Sequence, residues 1–77
     1  MTELDVIKHI VEDDAILGFV AKTPSHYWLN GIGDVSYEIF KSLYDNDFII
    51  DAEVIHGGSV QLYDLTQKGR EYYEKNS

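Results

Sequence analysis

The sequence predicts an α+β domain with three helices and a C-terminal β-hairpin. Apolar residues recur every three or four positions near the N-terminus and again in the middle of the chain, which is typical of amphipathic helices. Gly57-Gly58 lies between two runs of strand-forming residues, which is typical of a hairpin turn. Because 77 residues suffice for one small core, we expect residues 1–77 to form a single domain.

The first helix is predicted over residues 3–12. Thr2 is a suitable N-cap, and Leu4, Ile7 and Val11 follow at helical spacing. We expect this helix to end near Glu12, because the carboxylates at positions 12–14 are unfavourable at the negative end of a helix dipole.

Residues 15–31 allow two interpretations. The apolar stretch 15–21 is compatible with a short helix that ends before Pro24, or else residues 16–22 and 27–30 form two strands joined by a turn. The strands are favoured because aromatic residues at 27 and 28 are typical of strands. Trp28 is expected to anchor the core, whereas an exposed Trp28 would mark a contact or dimer surface.

The second helix is predicted over residues 34–45, with Asp34 as its N-cap. Its buried stripe consists of Val35, Ile39, Phe40 and Leu43. The third helix is predicted from Thr66, as N-cap, to about Lys75.

The hairpin is predicted as strands 48–55 and 59–65 around a two-residue turn at Gly57-Gly58. This turn defines the register of the two strands. The face expected to pack on the helices then carries three opposed pairs, namely Val54 with Gln61, Ala52 with Tyr63, and Ile50 with Leu65.

Two segments, VSYEIFKSLYDNDFII at 35–50 and VQLYDLTQKGREYYEKN at 60–76, resemble winged helix-turn-helix domains. The likeness is greatest to small domains of this family from Gram-positive bacteria and their phages. Its most specific part is Tyr63, Leu65, Thr66 and Gly69, which match a Tyr-x-Leu-Thr-x-x-Gly step between the last wing strand and the terminal helix. The resemblance covers about residues 34–75. It implies that helix 34–45 is a recognition helix and that the hairpin is a wing.

The charge of this region argues against DNA as the partner. Between Thr23 and Gln67, Lys41 is the only lysine or arginine, and the whole chain carries a net charge of −8. Affinity for duplex DNA comes mostly from cations that neutralise phosphates, so a single lysine contributes little. The seven carboxylates of this region are Asp34, Glu38, Asp45, Asp47, Asp51, Glu53 and Asp64.

We therefore expect a regulatory or accessory domain, of phage or prophage type, that acts by binding another protein. The candidate contact surface combines Tyr37, Lys41 and Tyr44, spaced i, i+4 and i+7 on helix 34–45, with the wing tip His56, Gly57 and Gly58. A solvated helix face and a simple tight turn are the alternatives without function.

Two other functions remain open. The first is a DNA-binding transcriptional regulator in which a dimer gathers the cations outside this region into one stripe, and these are Lys8, Lys22, Lys68, Arg70 and Lys75. The second is an acidic mimic of nucleic acid that occupies the groove of a DNA-binding protein. A homodimer is compatible with each interpretation.

The sequence predicts neither catalysis nor a cofactor. It contains no cysteine, and no Ser/His/Asp grouping or phosphate loop can be defended from spacing. His9 has Asp5, Glu12 and Asp13 within reach on one helix, but a solvated charged face is favoured over a metal site. Without a leader-like start or a membrane-length apolar run, we expect a cytoplasmic protein with no membrane partner.

Overall fold

The computed structural model describes residues 1–76, in which three α-helices accompany a five-stranded antiparallel sheet. The sheet order is β3-β2-β1-β5-β4, and a 3₁₀ turn, His56–Gly58, joins β4 to β5. In chain order the elements are α1 (Glu3–Glu12), β1 (Leu17–Val20), β2 (His26–Leu29), β3 (Gly33–Val35), α2 (Tyr37–Asp45), β4 (Ile49–Ile55), β5 (Val60–Leu65) and α3 (Gln67–Asn76).

The predicted winged helix-turn-helix fold is wrong, although the α+β class and the three helices are found within residues 1–76. The first helix of a helix-turn-helix pair would lie directly before α2, and the chain there forms β1, β2 and β3 instead. The hairpin predicted as a wing is β4 and β5, which continue the same sheet because β5 pairs with β1. Strands therefore occupy the middle of the chain, and α1 and α3 occupy its ends.

The start of α1 matches the prediction and adds a capping box. The Thr2 side chain accepts a hydrogen bond from the Asp5 backbone N–H at 3.2 Å, and the Asp5 carboxylate accepts one from the Thr2 N–H at 2.8 Å. These backbone and side-chain hydrogen bonds from Thr2 lower the pKa of Asp5. The helix ends at Glu12, as the charge argument predicts.

Residues 15–31 adopt the extended interpretation. β1 and β2 form a hairpin in which Leu17 pairs with Leu29 and Phe19 pairs with Tyr27. The turn between them contains Pro24, whose carbonyl oxygen accepts a hydrogen bond from Nδ1 of His26 at 3.0 Å. Successive side chains of β1 therefore point to opposite sides of the sheet.

The start of the second helix differs from the prediction. Asp34 lies in β3 opposite Trp28, and Ser36 is the N-cap, accepting a hydrogen bond from the Ile39 N–H at 3.2 Å. Both Asp and Ser are good N-caps, so local sequence does not choose between them. The pairing of β3 with β2 decides, because it keeps residues 33–35 extended.

A β-bulge makes the predicted register of β4 with β5 partly wrong. Val54 pairs with Gln61 as predicted, but Asp51 replaces Ala52 opposite Tyr63, and Ile49 replaces Ile50 opposite Leu65. One extra residue of β4 is accommodated between Asp51 and Val54. Because side chains alternate along a strand, this single residue moves Ile50 to the side of the sheet away from the helices.

The helices pack on one side of the sheet, which we call the inner face. Val6 and Ile7 of α1 and Phe40 and Leu43 of α2 are buried in one cluster, against which Tyr72 and Tyr73 of α3 also pack. The sheet contributes alternate residues, namely Leu17, Leu29, Val35, Ile49, Tyr63 and Leu65. Thus the domain has two layers, and the other side of the sheet receives no helix within residues 1–76.

Candidate functional site

The uncovered side of the sheet, which we call the outer face, is largely apolar. Along each strand, the residues of this face alternate with the residues that face the helices. None of them belongs to the main core cluster. Val60 is buried, Ile16 and Ile50 are exposed, and the others are half-buried. Its apolar members are Ile16, Val20, Trp28, Ile50, Ile55, Val60 and Leu62.

Trp28 is the centre of this face, not an anchor of the main core. Its indole lies over Gly18, the residue that pairs with Trp28 on one side and with Leu62 on the other. A methyl group at position 18 would lie 2.8 Å from Cε3 of Trp28 and closer still to Cζ3. Only glycine leaves room for the ring at this position. The absence of a side chain at residue 18 of β1 therefore allows the half-buried Trp28 ring to pack against the sheet.

The charges around the outer face are mainly negative. Asp34 pairs with Trp28 and Asp64 pairs with Ile50, and both carboxylates are exposed. None of the five strands contains a lysine or arginine. A lone cation, Lys22, follows the end of β1 and borders a hollow of about 400 Å³.

The hairpin tip predicted as a contact lies beside this hollow. His56 lines it together with Val20 and Val60, so the tip borders the outer face. Gly57 and Gly58 have φ values of 66° and 96°, which explains why glycine is required there. A four-residue loop, 56–59, replaces the predicted two-residue turn.

The predicted contact residues of α2 lie on the other side of the sheet. Tyr37 is 56% exposed and Tyr44 is 41% exposed. The ammonium of Lys41 lies 2.6 Å from the Asp45 carboxylate, one turn along the helix. This hydrogen bond and the Asp45 charge raise the pKa of Lys41. The structure therefore does not combine the α2 residues and the hairpin tip in one surface.

Aromatic rings connect α2 to the inner face. Phe40 stacks on Tyr27 at a centroid distance of 3.9 Å and meets Tyr63 edge-on at 4.9 Å. Burial, followed by the effect of Tyr27, raises the pKa of Tyr63 to about 12. A hydrogen bond to Asp51 raises the pKa of Tyr44, which also lies 6.2 Å from Tyr63. Part of the Tyr44 side chain is thus used in contacts with Asp51 and Tyr63 of the same domain.

A second hollow, of about 450 Å³, lies between β2 and the first turn of α2. Three aromatic rings contribute to its lining, those of Phe19, Tyr27 and Tyr37. Asp34 and His26 line it as well. We call this hollow the β2–α2 groove. Of the predicted contact residues, it includes only Tyr37.

Of the residues considered as a metal site on the first helix, His9 and Asp13 contact each other directly. His9 Nδ1 lies 2.7 Å from the Asp13 carboxylate, the C-cap of the helix. Among residues 1–76, no three histidine or carboxylate side chains are grouped so that they could hold a metal ion. In the same part of the chain, no helix combines the length and the apolar character needed to cross a membrane.

Comparison with protein-family models, with curated proteins and with solved structures found no match to this chain.

Sequence reasoning did not find the outer face as a site. Its signal was present in Gly18, because a glycine inside a strand pattern indicates a close approach of another group. The partner of that glycine, Trp28, could only be identified once the register of β1 with β2 was known.

Proposed function

We propose that this chain is a non-enzymatic binding domain of regulatory or accessory type, and that its outer face docks a basic surface of another protein. One observation carries the proposal: the sheet is covered by helices on the inner face, while its outer face presents a central tryptophan among aliphatic side chains. Exposed apolar patches with a polar rim are typical of protein interfaces, and tryptophan is a frequent anchor in them.

Charge selects the kind of partner. The outer face has Asp34 and Asp64 at its rim and Lys22 at one end, and the whole chain has a net charge of −8. A second copy docked on this face would bring more carboxylates than cations together in the interface. A partner that surrounds apolar residues with lysine or arginine would pair with the rim carboxylates, and rim charges of this kind increase the association rate and specificity.

Nucleic acid is a poor partner for the same reason. Lys41 is already paired with Asp45, so it does not offer a free charge to a phosphate. Lys22 lies beyond the Val60 end of β5, whereas the cations of α3 follow its Leu65 end. At about 3.4 Å per residue, the length of β5 separates these groups by roughly 17 Å. Lys22 therefore does not join the cations at the start of α3 in one stripe.

The outer face can be tested with a matched pair of variants. Ile50 and Val54 lie on the same strand and are 57% and 56% exposed, but the bulge directs them to opposite faces of the sheet. Ile50→Lys and Val54→Lys thus add the same charge at equal exposure. The probe is a short peptide of alternating lysine and leucine, with a glutamate and leucine peptide as its counterpart. The readout is the emission of Trp28, the only tryptophan in the sequence.

We expect the lysine peptide to shift and saturate the Trp28 emission in the wild type and in Val54→Lys. Ile50→Lys should weaken this binding by about tenfold or more, which corresponds to about 1.4 kcal/mol or more. Equal responses of the two variants, or equal binding of the acidic peptide, would exclude the outer face as a basic-partner site. Concentration-dependent dimerisation that Ile50→Lys abolishes would favour a second copy as the occupant.

A titration with duplex DNA at low salt tests the alternative function. We expect no binding, because residues 24–66 carry seven carboxylates and only one lysine, so their net charge disfavours contact with phosphates. Tight binding that weakens steeply as salt is added would overturn the protein-binding proposal, since this dependence is typical of counterion release.

A further inference from the structure

We propose that the β2–α2 groove binds an organic cation of the guanidinium or ammonium class, such as the side chain of an arginine. The groove shares Asp34 with the rim of the outer face, but its aromatic rings lie on the side of the helices, and it can be tested without knowledge of any partner. It therefore does not depend on the proposed function of the outer face.

The groove exists because β3 is shorter than β2. The pairing of the two strands runs from Leu29 with Gly33 to Tyr27 with Val35. Beyond Val35 the chain leaves the sheet, with Ser36 capping α2, so residue 26 of β2 pairs with β1 but has no partner on the side of β3. The result is an open space between this residue and the first turn of α2, where a flat group of a few atoms can enter.

Of the three aromatic rings in the groove, Tyr37 offers an exposed face to a cation. The Tyr27 ring packs against Phe19 at 4.7 Å and against Phe40 at 3.9 Å, and it lies 6.2 Å from the Tyr37 ring. Tyr37 is more than half exposed, so its ring can be reached from solvent. A cation within about 6 Å of an aromatic face gains about 0.5–1 kcal/mol at an exposed site, and a guanidinium can also stack flat on a ring.

Polar groups of the groove also favour a cation. Within residues 1–76, the Asp34 carboxylate has neither a hydrogen bond nor an ion pair, so its charge is available to a ligand. His26 also lines the groove, and its Nδ1 lies 3.0 Å from the Pro24 carbonyl oxygen.

One feature of α2 opposes a cation, namely the positive end of the helix dipole near Tyr37. Its effect at an exposed site is about 0.3–1 kcal/mol, and Glu38 in the first turn offsets it. An anion would have to overcome both Asp34 and Glu38 as well as the net charge of the chain, so the balance favours a cation.

The test compares N-acetyl-arginine amide with N-acetyl-citrulline amide, two probes that differ in charge but scarcely in shape. NMR shifts of the ring protons of Phe19, Tyr27 and Tyr37 report binding. We expect saturable shifts with the arginine probe, a Kd in the millimolar range, and at least threefold weaker binding of the citrulline probe. Equal affinity for both probes, or shifts that avoid these rings, would overturn the proposal.

Three variants test whether the arginine probe binds in the β2–α2 groove. Tyr37→Leu and Asp34→Asn should each weaken the arginine probe about threefold, which is the effect of losing one cation–π contact or one exposed charge. Tyr44→Leu, at the other exposed tyrosine of α2, should leave its affinity unchanged. Unchanged affinity in both groove variants, with well-dispersed spectra that show folded protein, would rule out the site.

Ile50→Lys separates this inference from the proposed function. Its position on the outer face is remote from the rings of the groove, so binding of the arginine probe should persist in this variant. A groove that binds the probe while the outer face fails to bind the lysine peptide would support this inference alone, and the reverse result would support only the outer-face proposal.

Discussion

At the scale of single residues, Gly18 and Trp28 determine the character of the outer face. The indole needs the space that a side chain at position 18 would fill, and both residues lie on adjacent strands at paired positions. This contact holds a large aromatic ring against a side of the sheet that has no helix above it within residues 1–76. The proposed docking centre therefore depends on one glycine.

Gly18→Ala is expected to displace the indole. Overpacking of this type typically costs about 1–3 kcal/mol, and we expect the lower part of that range because Trp28 is half-buried and can turn toward solvent. The Trp28 emission should shift to longer wavelength, and the urea midpoint should fall. Unchanged emission would show that the ring does not rest on Gly18.

A double-mutant cycle isolates the contact. If the clash with the indole causes the loss, Gly18→Ala should cost less free energy of unfolding in a Trp28→Leu background than in the wild type. Equal losses in both backgrounds would assign the effect to the backbone of β1.

Tyr63 gives the domain a predicted sensitivity to alkaline pH. Burial raises the pKa of its hydroxyl from 10.0 to about 12, so the unfolded chain releases this proton at lower pH than the folded protein. The folded state then binds more protons than the unfolded state, and stability falls as pH rises from 10 to 12. Below pH 10 this contribution is fully present.

Tyr63→Phe tests this expectation, because phenylalanine keeps the ring contacts with Phe40 and removes the ionisable group. The decrease in urea midpoint between about pH 9 and about pH 11 should be smaller in the variant than in the wild type. The same decrease in both proteins would show that Tyr63 does not contribute to alkaline unfolding.

At the scale of elements, strand register and the close packing of α3 determine where the two proposed sites and the third helix lie. The bulge in β4 exposes Ile50 on the outer face, and the early end of β3 opens the β2–α2 groove. The position of α3 depends on Thr66, whose hydroxyl accepts from the Gly69 N–H at 3.0 Å and donates to the Asp47 carbonyl oxygen at 2.5 Å. This residue thus caps α3 and ties it to the loop before β4.

Gly69→Ala should weaken the packing of α3 against Phe48 and Leu65. A methyl group there would lie 2.6 Å from Cδ1 of Leu65 and would press on the carbonyl group of Phe48, a backbone atom that cannot turn away. We expect a loss of about 1–3 kcal/mol in the free energy of unfolding, despite the better helix propensity of alanine. Denaturation in urea measures it.

Arg70→Ala is the matched control for this prediction. Arg70 is the exposed neighbour of Gly69 on the same turn, and its replacement should change stability by no more than about 0.5 kcal/mol. Equal midpoints of Gly69→Ala and Arg70→Ala would contradict the close packing of α3 on Phe48.

At the scale of the whole molecule, the three helices of residues 1–76 leave one side of the sheet uncovered. The helices of residues 1–76 lie on the inner face, where their apolar stripes form the main core. The outer face is left with aliphatic side chains, one tryptophan and an acidic rim. Both proposals follow from this arrangement. The proposed protein partner docks on the outer face, and the proposed cation binds in the β2–α2 groove, where the chain passes from β3 to α2.

Local patterns predicted much of the secondary structure. The helix over 3–12, the strands on either side of Pro24 and the cap at Thr66 were confirmed, because capping residues, turns and periodicity act over a few positions. The likeness to winged-helix domains misled about the fold, because it covered α2, the hairpin and α3 but did not include β1 and β2.

The sequence by itself determined the acidic character of this protein, its three helices and its C-terminal hairpin, since these depend on composition and on neighbours along the chain. Only the tertiary structure decided that Trp28 lies on the outer face, that Ile50 is exposed and that the contact residues of α2 lie apart from the hairpin tip. The physical reason is strand register. Pairing between segments distant in sequence selects the face to which each side chain points, and one bulged residue reverses it.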